Sequence, residues 1–330
     1  VSESLLENPD YDLKWDDYIG QPLVKRQLQI AATSARSRGV TMPHTLLEGT
    51  SGNGKTTLAV LAAREMQKQI KVVAGPVRAN EARQILLSME DGDILLWDEF
   101  GDAVVGGKAK LSWALNFLQD GVIVTAAGEE EMPKVCIIAC TNEVGKLPDT
   151  ILTRFQLRPV LVDYTHDEAT LIAKGMTSRL FGALPLPNDE TLGLVATAAD
   201  NNPRLAKQIL ANIRDLAICS NNAPKDGSYS ISETLELMNL TCDGLDKMAR
   251  DYLTTLLRFP DGLGRSAVAE VLNAPGGVDA VERVLVKRGY ILKLKAGRRL
   301  SGSGVRRAND LLRAEKEEAI KLAAGHSLIA

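Results

Sequence analysis

The first half of the chain alternates short apolar runs with longer stretches in which apolar residues recur every three or four positions. Runs at residues 44–48, 93–97 and 135–140 are short and almost continuously apolar, the pattern of strands buried on both faces. A glycine-rich stretch follows the first run, and a helical pattern opens at Lys55 and carries on to about residue 69. This β-α alternation predicts a parallel sheet with helices on both faces. From 167 to 240 the pattern is helical, broken at Pro185, Pro187 and Asn201-Asn202-Pro203, so a small all-helical domain is expected. After Gly244 come three short helical patterns and then YILKLKAGRRL, two strand-like pieces around an Ala296-Gly297 turn. Helices closed by a basic hairpin predict a winged helix. From Val305 one amphipathic helix is expected, with Leu311, Leu312, Ala319, Leu322 and Ala323 roughly on one stripe. The expected division is therefore 1–165 (α/β), 166–241 (helical), 242–304 (winged helix) and 305–330 (helical tail).

Composition adds limits. The chain has 330 residues and is 45% hydrophobic, enough for several packed cores and too much for disorder. No apolar run approaches the ~18 residues that cross a bilayer, and the first ten residues, VSESLLENPD, have neither the basic nor the apolar part of a signal peptide. Cys136, Cys140, Cys219 and Cys242 lack zinc spacing, and the first two lie in an apolar run. Reduced thiols and a cytoplasmic setting, away from membranes, are expected.

The net charge of -3 hides an asymmetry: nine Lys or Arg and no Asp or Glu lie between Arg283 and Arg307. Such a block is the electrostatic footprint that a phosphate backbone selects. Lys293, Lys295, Arg298 and Arg299, on and around the hairpin, are the candidate DNA contacts, in a segment whose positive potential reads as uncancelled.

The sharpest chemistry lies at Gly49-Thr50-Ser51-Gly52-Asn53-Gly54-Lys55-Thr56, followed by Thr57, which fits G-x-x-x-x-G-K-[ST] without a mismatch. The glycines let backbone N–H groups close around phosphate oxygens, and the helix that follows adds the positive end of its dipole. Lys55 is expected on the β- and γ-phosphates of ATP and the Thr56 hydroxyl on Mg2+. About 40 residues on, Asp93-Ile94-Leu95-Leu96-Trp97-Asp98-Glu99 ends a buried strand in two carboxylates, at the sheet edge where ligands bind. Asp98 is expected to hold magnesium through water and Glu99 to polarise the attacking water. Asn142, ending the next run, either orients that water or is a turn residue. Lys108 and Lys110, beside Gly106-Gly107, either touch phosphates on a mobile loop or are merely solvated.

The order of motifs goes further. DYIGQPLVKRQL, the P-loop, ILLWDEF, ACTN, ILTRF, NNPR, DGLDKMARDYL and GYILKLKAGRR together resemble the RuvB-like AAA+ ATPases, the family of Holliday-junction branch-migration motors, over roughly residues 11 to 305. The resemblance implies a RecA-like large domain, a small helical lid, a winged helix, and hexameric rings around double-stranded DNA with ATP held between subunits. It implies that Asn142 is the first sensor, that Arg154 is the arginine finger reaching a neighbour's site, and that Arg204 is the second sensor, in the lid of the same subunit. It puts Ile19, Tyr164 and Pro203 against the adenine, and Lys293 and Arg298 at wing positions used on DNA. Departures mark a divergent relative, such as one carried by a phage. Asp10-Tyr11-Asp12 stands where the family has Leu-Arg-Pro, Leu152 where it has Arg, and Phe100-Gly101-Asp102-Ala103 where it has His-Arg-Leu. The hairpin before the first sensor is short and carries Glu129, Glu130 and Glu131, so a different partner protein at junctions or in replication is expected. Two activities stay open: a motor translocating on duplex DNA, and a loader or switch ATPase that places a helicase or clamp. A protein remodeller without DNA contact is disfavoured by the basic wing.

Overall fold

The computed structural model describes residues 5–8, 11–101, 112–125, 128–274 and 277–326, with side chains of the last helix as far as 317. Lys108, Lys110 and their glycine pair lie outside the described residues, as do Asp102 and Ala103 and the side chains of Ala319, Leu322 and Ala323. Two compact units emerge, Val1–Gly227 and Ser228–Ala330.

In the first unit, α1 (Pro22–Arg38) leads into β1 (Thr45–Glu48), α2 (Lys55–Met66), β2 (Ile70–Ala74), α3 (Ala79–Leu87), β3 (Ile94–Asp98), α4 (Ser112–Asp120), the hairpin β4 (Val122–Thr125) and β5 (Gly128–Glu131), then β6 (Cys136–Thr141) and the short α5 (Asp149–Leu152). The parallel sheet has the order β1-β6-β3-β2. Residues 157–161 run along the free edge of β1, where Leu46 N donates to Leu157 O at 2.8 Å and Leu161 N to Glu48 O at 2.8 Å. Alternate strand residues point to opposite faces, which here means two cores. Leu47, Ile94, Leu96, Ile138 and Cys140 pack under α1 and α2. Leu46, Leu95, Trp97, Ile137 and Ala139 pack under α3 and α4. This is the parallel α/β layering that the apolar runs predicted.

Two details differ from the pattern. The strand β2 was not expected; it sits at the sheet edge and is only half-buried, so its apolar run is weak. The helix α2 stops at Met66 rather than near 69, because Gln67 turns left-handed (φ 54°) and its N–H closes on Arg64 O.

Three helices complete the unit: α6 (His166–Phe181), α7 (Asp189–Ala198) and α8 (Pro203–Ser220). Each starts at a residue whose side chain satisfies orphan N–H groups. Thr165 and Glu168 form a capping box on α6, Asn188 accepts from Thr191 N, and Asn202 accepts from Arg204 N and Leu205 N ahead of Pro203. Pro185 and Pro187 fall between α6 and α7, and Pro203 opens α8.

The second unit runs α9 (Ser232–Leu237), α10 (Lys247–Leu257), α11 (Arg265–Val271), α12 (Asp279–Lys287), β7 (Ile291–Leu294), β8 (Gly297–Leu300) and α13 (Gly302–His326). The antiparallel hairpin turns at Lys295-Ala296, one residue earlier than expected, with Leu294 paired to Gly297. Leu263 lies beside β8 and exchanges two backbone hydrogen bonds with Arg298, at 2.7 and 3.0 Å. Helices α10 to α12 plus this small sheet make the winged helix. Leu245, Leu253, Val268, Leu285 and Ile291 fill its core, and Ala308 and Leu311 dock the start of α13 onto it. No described helix is long and apolar enough to cross a membrane.

Candidate functional site

The loop between β1 and α2 is shaped by what its glycines avoid. Gly52 and Gly54 both take φ +88°, a region that side chains disfavour. A Cβ on Gly52 would fall 2.4 Å from Asn202 Oδ1, and one on Gly54 2.5 Å from Tyr18 Oη. No side chain caps the start of α2, so its first N–H groups and positive dipole end are available to an anion. Lys55 Nζ donates to Gly49 O (2.7 Å) and Thr50 O (3.0 Å). Burial pushes the pKa of Lys55 down, against the opposing pull of Cys140 and Asp98.

A cavity of about 800 Å³ opens over this loop. Of the residues expected at the nucleotide, Ile19, Ser51, Gly52, Gly54, Lys55, Thr56, Thr57, Asp98, Glu99, Asn142, Tyr164, Pro203 and Arg204 line it. Gly49, Thr50 and Asn53 do not. Thr50 Oγ1 and Asn53 Nδ2 instead donate to Asp163 Oδ1 at 3.0 and 3.1 Å, tying the loop to the segment that enters α6.

The acidic pair sits at the end of β3. Trp97, fully buried, stacks on Trp113 with centroids 5.1 Å apart and donates through Nε1 to Gly75 O at 2.8 Å. Phe100 packs edge-on against Trp97 and Phe155. Between these anchors Asp98 is half-buried and Glu99 exposed. Glu99 holds a left-handed backbone (φ 53°), and its N–H donates to Asp98 Oδ1 at 2.9 Å. A non-glycine residue there stores of order 1 kcal/mol or more, a strain common at working sites.

The helical domain reaches the loop through two side chains. Arg204 Nη1 donates to Ser51 Oγ at 3.1 Å and Asn202 Nδ2 to Ser51 O at 2.7 Å. On the opposite wall, Tyr18 and Tyr164 hydroxyls lie 3.0 Å apart and both reach Asn53 O, at 3.3 and 3.1 Å. Burial pushes both phenols up, so they stay protonated donors. Tyr11, Leu13, Ile172 and Met176 add apolar wall. None of these, nor Tyr18, was assigned to the site from the sequence. Nor was Arg64, whose guanidinium gathers Tyr11 O, Leu13 O and Leu6 O at 2.6, 3.1 and 2.9 Å and so holds the first residues against the cavity.

Arg154 stands apart. It does not line the cavity; Nη1 donates to Thr150 O at 3.0 Å and Nη2 to Gln119 Oε1. On the β4–β5 hairpin, Glu130 is held by Arg83 of α3, whereas Glu129 and Glu131 are exposed.

The basic block contradicts its sequence reading. Its potential is not uncancelled, because Glu282, one residue before the block, is fully buried beneath the hairpin. Arg298 Nε donates to its Oε1 at 2.8 Å, Arg298 Nη2 to Oε2 at 3.2 Å, Lys293 Nζ lies 2.9 Å from Oε2, and Tyr252 Oη donates to Oε1 at 2.8 Å. Burial alone would push this carboxyl up; the hydrogen bonds from Arg298, Lys293 and Tyr252 outweigh it and hold it at about 2. Arg307 likewise grips Asp243 with two bonds, at 2.6 and 3.0 Å. Lys295 and Arg299 are exposed, and neither meets a carboxylate among the described residues. Cys136 and Cys140 are buried free thiols, and burial pushes both pKa values up, away from reactivity.

Comparison with known proteins places these features in context. The family model described as the Holliday junction DNA helicase RuvB P-loop domain matches residues 12–161. The Holliday junction branch migration complex subunit RuvB of Kosmotoga olearia is 30% identical over 297 residues, which cover 86% of this chain and 85% of the relative. Among solved structures, the Thermotoga maritima RuvB Holliday junction branch migration motor superposes with a TM-score of 0.76 at 26% identity, over 89% of this chain and 96% of that one. A point variant of the same Thermotoga protein gives 0.78 at 26% identity, over 90% and 97%.

Proposed function

The chain belongs to the RuvB family of P-loop ATPases, and from that premise we propose that it works as a ring, expected to be a hexamer, that hydrolyses ATP to move double-stranded DNA in the cytoplasm. One observation carries this reading. The P-loop, the acidic pair and the lid residue Arg204 converge on a single cavity, while Arg154 lies outside its own. A site that needs Arg154 must therefore take it from a neighbouring copy.

ATP fits this cavity. The loop offers backbone N–H groups and an uncapped helix start, and Lys55 rests on two carbonyls that it can exchange for phosphate oxygens. Magnesium usually takes one or two protein oxygens and completes its shell with phosphates and water. Thr56 and Asp98 suit that role, and no group of three His, Cys, Asp or Glu forms a closed cage among the described residues. Bound there, the ion would neutralise charge building on the β- and γ-oxygens. Glu99 would orient the attacking water and Asn142 would hold it against the γ-phosphate. Arg204, pinned to Ser51, would steady the phosphates from the lid, and the Tyr18–Tyr164 wall with Ile19 and Pro203 would pack the base.

The test separates binding from turnover. Lys55→Ala is expected to lose nucleotide affinity and turnover together, and Glu99→Gln to keep affinity while kcat falls on the order of 10²-fold or more. Wild-type turnover in Glu99→Gln would remove that carboxylate from the mechanism. With the native chain, many ATP consumed per DNA molecule supports a motor; about one per loading event would move the assignment to a loader.

A further inference from the structure

We propose that the wing meets duplex DNA through Lys295 and Arg299, while Lys293 and Arg298 stay paired with the buried Glu282 carboxylate and contribute little to binding. This rests on the proposed action on double-stranded DNA and divides the basic block in a way that its sequence does not.

The division follows from strand geometry. In the β7–β8 ladder Lys293 pairs with Arg298 and Leu292 with Arg299, and successive residues point to opposite faces. One face carries Arg298, mostly covered, and Lys293, itself 44% exposed, onto the buried Glu282 carboxylate. The other carries Leu292 and Arg299, both exposed. Lys295 sits at the exposed turn. Arg299 is aimed by a hydrogen bond from Nε to Pro260 O at 2.9 Å, which leaves both terminal nitrogens of its guanidinium for a phosphate.

Electrostatics points the same way. For Arg298 to reach a phosphate it must leave a bidentate contact with a carboxylate that has 0% exposure. An ionised carboxylate stripped of its partners in the interior is costly, so that exchange opposes binding. Lys295 and Arg299 give up only water. Positive charge that is exposed and unpaired on a hairpin matches an extended polyanion, and duplex DNA is the one that the proposed function supplies. An acidic protein surface is the competing partner, and the experiment distinguishes it.

The full chain is titrated with a short blunt duplex at several salt concentrations. Each lost phosphate contact flattens the slope of log affinity against log salt by ~0.9. Lys295→Ala/Arg299→Ala is expected to flatten it by up to ~2 and to weaken binding to all sequences alike. Lys293→Ala/Arg298→Ala is expected to leave the slope within ~0.3 of the native value. If that double variant does not fold, the triple Glu282→Gln/Lys293→Gln/Arg298→Gln, which removes the buried charge with its partners, takes its place. Flattening by the inner pair, alone or equally with the outer pair, overturns the division but leaves the wing on DNA. No change from either pair removes the wing from DNA altogether, and the division with it.

Discussion

The nucleotide site and the wing hold their cations in opposite ways. In the nucleotide unit, Lys55 and Arg204 touch neutral groups only: the carbonyls of Gly49 and Thr50, and the Ser51 hydroxyl. Their charge remains to act on whatever enters the cavity. In the C-terminal unit, Lys293 and Arg298 converge on Glu282 and Arg307 on Asp243, so much of the positive charge is spent on holding the fold. A tally of basic residues therefore measures potential in the first case and overstates it in the second.

The largest effect that would break the contrast concerns Arg154. Its guanidinium is bound to Thr150 O and Gln119, outside the cavity of its own chain. If it is a cation kept free for a neighbour's phosphate, Arg154→Ala should bind ATP normally and lose about 10³-fold in turnover. Mixing Arg154→Ala with Lys55→Ala chains should restore part of the activity, because some interfaces then pair an intact finger with an intact loop. Mixed rings with no recovery would mean that Arg154 only braces α4 against α5.

The contrast also predicts different responses to acid. His44 is half-buried, accepts from Ile137 N at 3.0 Å through Nδ1, and burial pushes its pKa down to about 4. The unfolded chain binds a proton near 6.5 that the folded one refuses, so stability from this group is full above about pH 6.5 and is lost as pH falls toward 4. Glu282, held at about 2 against an ordinary value of 4.5, works lower. Its contribution is full above about pH 4.5 and is lost as pH falls toward 2. Each amounts to at most ~3 kcal/mol. All three tryptophans, Trp15, Trp97 and Trp113, lie in the first unit. Tryptophan fluorescence melts should thus lose stability between pH 6.5 and 4.5 while the second unit's stability, followed by hydrogen exchange of its own backbone amides, holds. His44→Asn should abolish that early loss. Parallel losses in both signals would show that neither group sets its unit's acid limit.

What was legible in the sequence follows from how far apart the interacting residues lie. The P-loop packs its chemistry into eight consecutive positions, and the acidic pair ends an apolar run, so both were visible as patterns. Tyr18 was not, because its meaning comes from Tyr164, 146 positions away. Arg64 looked like any surface cation on a helix; its three carbonyl partners lie more than 50 positions earlier in the chain. Glu282 was adjacent to the basic block yet left out of it, because proximity in sequence does not reveal that a helix residue projects under a hairpin. The edge strand β2 escaped for want of a second buried face.

The smallest effect probes the neutral style of the nucleotide unit at its hinge point. Asn202 does two things: Oδ1 caps α8 through Arg204 N (3.0 Å) and Leu205 N (3.2 Å), and Nδ2 donates to Ser51 O (2.7 Å). The first sets where α8 begins, and the second fixes that start, and with it Arg204, against the P-loop. Serine keeps the cap, since its hydroxyl serves helix N-termini about as well as an amide, but it is too short to reach Ser51 O. Asn202→Ser should therefore lose one neutral hydrogen bond, ~1 kcal/mol of stability, and, through the loosened Arg204, up to about fivefold in kcat/KM for ATP. Asn202→Ala should lose the same activity and a further ~1 kcal/mol of stability through the missing cap. Native kcat/KM in Asn202→Ser would reduce Asn202 to a helix cap and leave Ser51 Oγ as the contact that positions Arg204.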